Sequence, residues 1–186
     1  EDYSNYLMLS HYLPHLEDAE LAARHFGYNQ LFATIHQQKH VQRKNRKKLR
    51  VGYISPDFRQ HIVADFTRVF FSGCDRNRFE IIGYDITNQQ DATACWFQNH
   101  ADGWGILSGL EPKDEDKKIY NDEIDILVDL AGHSSGGHTL RIVGYKPAPL
   151  QISGIGYMST TGMSAMDYFL TDVYCDPLAG GSAQFS

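Results

Sequence analysis

Leu49-Arg-Val-Gly-Tyr-Ile-Ser-Pro-Asp-Phe-Arg-Gln-His61 is the stretch that decides the fold. An apolar run containing the β-branched Val51 and Ile54 stops at Ser55-Pro56-Asp57, and His61 falls where the next helix should begin. Strand, turn and helix in that order form the building unit of a parallel α/β sheet. The carboxyl ends of such strands make the edge where ligands usually sit. Asp57 and His61 are therefore on the edge where chemistry is available.

Working outward, the same rhythm continues to the far end of the chain. Strands are predicted at 51–55, 79–86, 103–107, 124–130, 150–153 and 168–171, and helices at 61–72, 93–100, 112–121 and 137–144. Ile124-Asp-Ile-Leu-Val-Asp-Leu130 is the clearest strand, near-continuously apolar as expected of a sheet covered on both faces. The alternation predicts an α/β domain with a doubly wound, mostly parallel sheet over residues 49–177. Residues 1–48 read differently. Helices are expected at 4–13 and 17–40, separated by Pro14. In the second, Leu21, His25, Tyr28, Phe32 and Ile35 recur on one face, and Glu17, Asp18 and Glu20 place negative charge in the first turn. The basic run Arg43-Lys-Asn-Arg-Lys-Lys-Leu-Arg50 reads as a solvated linker ahead of the first strand. Residues 178–186 lack periodicity and are expected to be disordered or the edge of a longer chain.

Composition narrows the function. The 186 residues are 42% hydrophobic and 22% charged, as in an ordinary globular domain with a real core. Seventeen Lys and Arg against 23 Asp and Glu give a net charge of −6, which argues against bulk nucleic-acid binding. No apolar run is long enough to span a membrane, and the Glu1-Asp2 start does not read as a signal peptide. Cys74, Cys95 and Cys175 are odd in number and widely spaced, which suits inert thiols in a reducing, cytoplasmic setting rather than disulfides or zinc.

Three segments fall at carboxyl ends of predicted strands: 55–61, 129–138 and 154–162. His61 suits general acid–base work near neutral pH, although a role in opening the helix is equally open. Asp57 reads first as a turn or capping carboxylate. Asp129-Leu-Ala-Gly-His-Ser-Ser-Gly-Gly-His138 sets glycines beside His133 and His138 at a helix start, where backbone N–H groups can hold a phosphate or sugar oxygen. Gly154-Ile-Gly-Tyr-Met-Ser-Thr-Thr-Gly162 offers small residues for close approach, plus hydroxyls. No ligand spacing for a metal is present.

Together these phrases resemble the catalytic region of the O-GlcNAc transferase family (glycosyltransferase family 41, with its SPINDLY-like members). The matching residues are Arg50-Val-Gly-Tyr-Ile-Ser-Pro-Asp-Phe58 with His61, Ile124-Asp-Ile-Leu-Val-Asp-Leu-Ala-Gly-His133, and Lys146-Pro-Ala-Pro-Leu-Gln151. They continue with Gly156-Tyr157, Thr160-Thr161-Gly162, Met166-Asp-Tyr168 and Thr171-Asp172. The lead-in over 1–48 is similar to the linker that follows the family's tetratricopeptide repeats.

The resemblance implies the Rossmann-like first lobe of a two-lobed GT-B enzyme, inverting and without a metal or other cofactor. Such an enzyme moves a sugar, usually GlcNAc from UDP-GlcNAc, to Ser or Thr of a protein or peptide acceptor. His61 matches the histidine proposed as general base. Ile155 and Gly156 match donor-sugar positions, and Asp57, Gly132, His133, Tyr157, Thr160, Thr161 and Gly162 are expected along the same cleft. Two departures stand out: Ile62 follows His61 where many relatives have proline, and Asp125 stands where animal members carry histidine. The implied partners are a nucleotide-sugar donor, an acceptor protein and a second catalytic lobe, with neither nucleic acid nor membrane. Without that lobe the chain is expected to fold but not to transfer sugar. Fucosyl transfer from GDP-fucose and a non-catalytic interaction module are the competing readings.

Overall fold

The sheet grows outward from its first strand in both directions. A computed structural model describes residues 1–41 and 46–176. In it β1 (Leu49–Ser55) pairs with β2 (Phe79–Asp85) on one side and β4 (Ile126–Asp129) on the other, both in parallel. Strand β3 (Gly103–Ile106) extends the β2 side, and β5 (Leu150–Gly154) and β6 (Tyr168–Leu170) extend the β4 side, giving the order β3-β2-β1-β4-β5-β6. All pairs are parallel. The chain thus winds one way through β3, then returns to the centre and winds the other way. The reversal lies between β1 and β4, and ligands bind outside the strand ends at such a switch point.

Alternation along the strands makes two cores. Val51, Tyr53, Ile81 and Val128 face helices α3 (Ile62–Ser72) and α4 (Ala92–His100), with Phe58, Phe71 and Phe97 packed between. Ile54, Ile82, Tyr84 and Leu127 face the other way, into a core shared with α5 (Pro112–Asn121), α6 (His138–Val143) and the N-terminal segment. The expected strand–helix alternation is therefore present, with ends shifted by one or two residues. Strand β4 starts after Asp125, whose N–H donates to the Arg50 carbonyl at 2.9 Å and whose Oδ2 accepts from the Arg50 N–H at 2.8 Å.

The lead-in departs further from expectation. Its helices are α1 (Asp2–Ser10) and α2 (Asp18–Gly27), and a single 3₁₀ turn over Tyr28–Phe32 replaces the remainder of the long helix expected to 40. Residues 33–41 run without helix as a strap bonded to the sheet's own helices. The Gln38 N–H donates to the Tyr145 carbonyl, and its side-chain amide to Asp116, each within 2.9 Å. The Tyr120 hydroxyl donates to the Lys39 carbonyl. Those tertiary bonds take the place of intrahelical ones, although Gln38 and Lys39 are themselves good helix formers. Residues 43–45 of the basic linker and the expected tail (178–186) lie outside the described residues.

Candidate active site

The loop after β1 is braced at every turn. Ser55 Oγ accepts from the Asp57 N–H at 2.9 Å, and the Gln60 N–H donates to Asp91 Oδ2 at 2.7 Å. Asp91 also caps α4 by accepting from the Ala94 N–H. These backbone bonds hold its carboxyl below the usual carboxylate range. Asp57 is buried, its side chain 4% exposed, with Arg59 Nη2 3.2 Å from Oδ1 and His61 Nδ1 3.6 Å from Oδ2. His61 is 35% exposed and caps α3, its Nδ1 accepting from the Val63 N–H at 3.3 Å. The helix-opening role is thus present. It uses a backbone N–H as partner.

Gly156 joins the three loops. A Cβ there would lie 2.0 Å from the Leu130 carbonyl oxygen, at the end of β4, and 3.4 Å from the Val63 side chain, in the turn that His61 caps. Only glycine allows that approach. Its neighbour Ile155 has φ of 74°, the left-handed region that β-branched residues rarely enter. The strain holds a half-exposed side chain on the rim of an apolar cleft of about 490 Å³, whose other walls include Phe66, Phe70, Met158, Leu170 and Asp172. Tyr157 reaches the same cleft from beneath while being itself buried. Neither Asp57 nor His61 is part of its wall.

The remaining expected cleft residues are turned elsewhere. Gly132, His133, Thr160, Thr161 and Gly162 are all buried, in a seam between the sheet edge and the lead-in. His133 has Thr161 O 2.9 Å from Nε2 and Ser4 Oγ 3.0 Å from Nδ1, so α1 occupies the nitrogen that a ligand would use. Burial lowers its pKa to about 3. Thr160 Oγ1 accepts from the Gly162 N–H, and a Cβ on Gly162 would meet the His25 carbonyl at 1.9 Å. Gly132 (φ 55°) packs against the Tyr157 ring. Asp129 holds this turn: both its oxygens accept backbone N–H groups, from Ala131 and Gly132 at 3.0 Å, and full burial raises its pKa. These residues shape the edge from below and do not face it.

The sequence reading missed Arg59, the ion-pair partner of Asp57, although it lies inside the deciding stretch. It also missed Phe66 and Phe70 on α3. Ile62, Phe66 and Val69 are in fact exposed along that helix. Among the described residues no group of three His, Cys, Asp or Glu is arranged to hold a metal ion, and no helix is long and apolar enough to cross a membrane.

Comparison with known proteins places this edge in a lineage. The model of glycosyl transferase family 41 matches residues 7–186. The chain belongs to that family. Curated relatives include the probable UDP-N-acetylglucosamine–peptide N-acetylglucosaminyltransferase SPINDLY of Arabidopsis thaliana, 30% identical over 181 residues, covering 93% of this chain and 20% of the relative. The UDP-N-acetylglucosamine–peptide N-acetylglucosaminyltransferase of Caenorhabditis elegans is 30% identical over 178 residues, covering 89% and 15%. A mutant of Thermobaculum terrenum O-GlcNAc transferase superposes with a TM-score of 0.90 at 25% identity, over 98% of this chain and 35% of that one. The chain therefore spans about a fifth of its first curated relatives. The family 41 match and the superposition agree with a Rossmann-like GT-B lobe.

Proposed function

We propose that this chain forms the first lobe of a protein O-glycosyltransferase that moves GlcNAc from UDP-GlcNAc to Ser or Thr hydroxyls, with inversion and without a metal. The observation that carries the reading is the convergence at Gly156, where the ends of β4 and β5 and the start of α3 meet at the switch point of a family 41 lobe. In this reading His61 faces the reacting groups and the strained Ile155-Gly156 turn seats the donor sugar. Asp57 keeps the His61 loop in register. The buried Gly132, His133, Thr160, Thr161 and Gly162 support that edge from below. A second lobe supplies most nucleotide contacts, so the chain alone binds donor weakly and transfers no sugar. The three free thiols fit a reducing cytoplasmic setting.

The test is a transfer assay on the longer protein with a peptide acceptor, comparing UDP-GlcNAc with GDP-fucose. Incorporation of GlcNAc supports the proposal. Incorporation of fucose alone moves the donor assignment, and transfer of neither sugar, with acceptor binding intact, favours an interaction module.

A further inference from the structure

We propose that Tyr157 is a positioning residue, through which the lead-in holds the Ile155–Gly156 turn in its strained form and so sets the affinity of the cleft for the donor sugar. The effect on affinity rests on the reading of that turn as the donor-sugar seat. The mechanical link between lead-in and turn does not.

The turn closes over three residues. The Gly156 N–H donates to the Gly154 carbonyl at 3.0 Å, around Ile155 with its φ of 74°. A bond from i to i+2 across a central residue of positive φ is the rare, strained form of the γ-turn. Such a conformation persists only where the surroundings over-determine it, so both ends must be held. The sheet holds the upstream end. Gly154 pairs with Leu170 of β6, and a Cβ on it would lie 2.7 Å from the Leu170 carbonyl oxygen.

The downstream end has no strand to hold it. Gly156 fits against the Leu130 carbonyl by lacking a side chain, a contact that admits the turn without fastening it. Tyr157 is the first buried side chain after the turn, and Met158 beyond it is exposed. Its Cβ sits over Gly132, where a further Cβ would lie 2.5 Å away, and its ring is 5.2 Å from that of His133. Both are packing contacts within the lobe. The directional contacts come from the lead-in: the hydroxyl is bonded to His25 of α2 and to His11, just after α1. His25 is itself fixed, its Nδ1 bonded to the Leu21 carbonyl and its own carbonyl against Gly162. Without the hydroxyl the ring keeps its packing but loses its anchor. The turn then relaxes, and the Ile155 side chain leaves the rim. In this arrangement the lead-in is part of the framework of the donor site.

Tyr157→Phe in the longer protein, assayed below its melting temperature, is expected to raise KM for UDP-GlcNAc several-fold with kcat within about twofold. That split is the mark of binding lost equally from ground and transition states. His11→Phe keeps a ring at a half-buried position and removes one of the two bonds, so it moves KM the same way by less. Combination with Ile155→Gly separates positioning from general loosening. If Tyr157 acts through Ile155, Tyr157→Phe adds nothing in the Ile155→Gly background, whereas independent effects multiply. The chain alone supplies a readout without catalysis. The δ1-methyl resonance of Ile155, assigned by its absence in Ile155→Gly, should shift in both variants, while that of Ile106 on the far edge of the sheet stays in place. KM unchanged in both single variants, multiplying effects in the double variant, or an unmoved Ile155 methyl overturns the proposal. If the wild-type protein transfers no sugar at all, the functional reading fails while the methyl spectra still decide whether the lead-in holds the turn.

Discussion

The Tyr157 hydroxyl lies 2.6 Å from His25 Nε2 and 3.1 Å from His11 Nε2, which ties the loop under the cleft to both ends of the lead-in hairpin. The order of protons follows from the outer partner. His25 Nδ1 donates to the Leu21 carbonyl at 2.7 Å, so its Nε2 accepts from Tyr157, and Tyr157 accepts from His11. Removing the hydroxyl strands two imidazole nitrogens in a buried seam. Tyr157→Phe is expected to destabilise the chain by about 1–3 kcal/mol, read by urea denaturation. A loss within error would mean that the seam does not depend on this bond.

The same seam predicts acid sensitivity. Burial lowers the pKa of His11, His25 and His133 below the ordinary 6.5, His133 to about 3. In the window between the folded and unfolded values the unfolded chain binds more protons, so stability rises with pH. The contribution is complete above about pH 6.5 and is lost as pH falls towards 3. A tenfold difference in proton affinity between the folded and unfolded chain is worth about 1.4 kcal/mol, so His133 alone weakens the fold by roughly 2 kcal/mol at pH 5. Urea midpoints at pH 7.5 and 5.0 measure it, and His133→Asn should flatten the difference. An equal slope in the variant would remove His133 as the cause.

Asp116 runs in the opposite sense. Burial raises its carboxyl to about 6, only partly offset by the bond from the Gln38 amide. A raised folded value means stability that is present at low pH and lost as pH climbs through about 6. Asp116→Asn keeps the shape and removes the charge. It should stabilise the chain at pH 7.5 by about 3 kcal/mol, the free energy of a roughly hundredfold change in proton affinity, and change little at pH 4. Destabilisation at pH 7.5 would show that the charge is itself used, by a partner of α5 or of the strap.

What the sequence made legible was set by local rules. The strand ends at Ser55, Asp129 and Gly154 each carry a turn or small residue after an apolar run, and the three loops do meet. Less legible was which side of that edge is covered. His133, Thr160 and Thr161 look like ligand groups because they are polar and near glycine, yet Ser4, His25 and Tyr28, far away in the chain, satisfy or enclose them. Periodicity marks the face that carries His25 and Tyr28 but not what that face packs against, and it does not register Ser4 at all. The break at Gly27 was hidden for a similar reason. The spacing of His25, Tyr28 and Phe32 continues across it, whereas the strap's bonds to Tyr145 and Asp116 exist only in three dimensions.

Gly162 is where the lead-in and the lobe touch backbone to backbone. It has φ of 70°, and a Cβ would fall 1.9 Å from the His25 carbonyl oxygen. Neither group is a flexible side-chain end, so the added methyl must displace α2. Gly162→Ala is expected to cost about 2 kcal/mol or more, combining left-handed strain with the clash. Hydrogen exchange should show faster opening of α1 and α2 than of β1. Uniform loss of protection across sheet and lead-in would instead mean that the two unfold together.

Ile155 separates stability from use of the cleft. Its φ of 74° costs a β-branched residue roughly 1–2 kcal/mol, and the residue is 36% exposed, so the part that is buried offsets some of that strain. Glycine relieves the strain but adds about 0.5–1 kcal/mol of backbone entropy to the unfolded state. Ile155→Gly, which also gives up that burial, should therefore leave stability within about 1 kcal/mol of the wild type. A side chain kept in this conformation on the rim of an apolar cleft points to a contact with what binds there. In the longer protein the variant should raise KM for the sugar donor several-fold, with thermal stability intact. If KM and kcat are both unchanged, the strained residue serves packing against Met158 and Leu170, and the cleft lies outside the donor site.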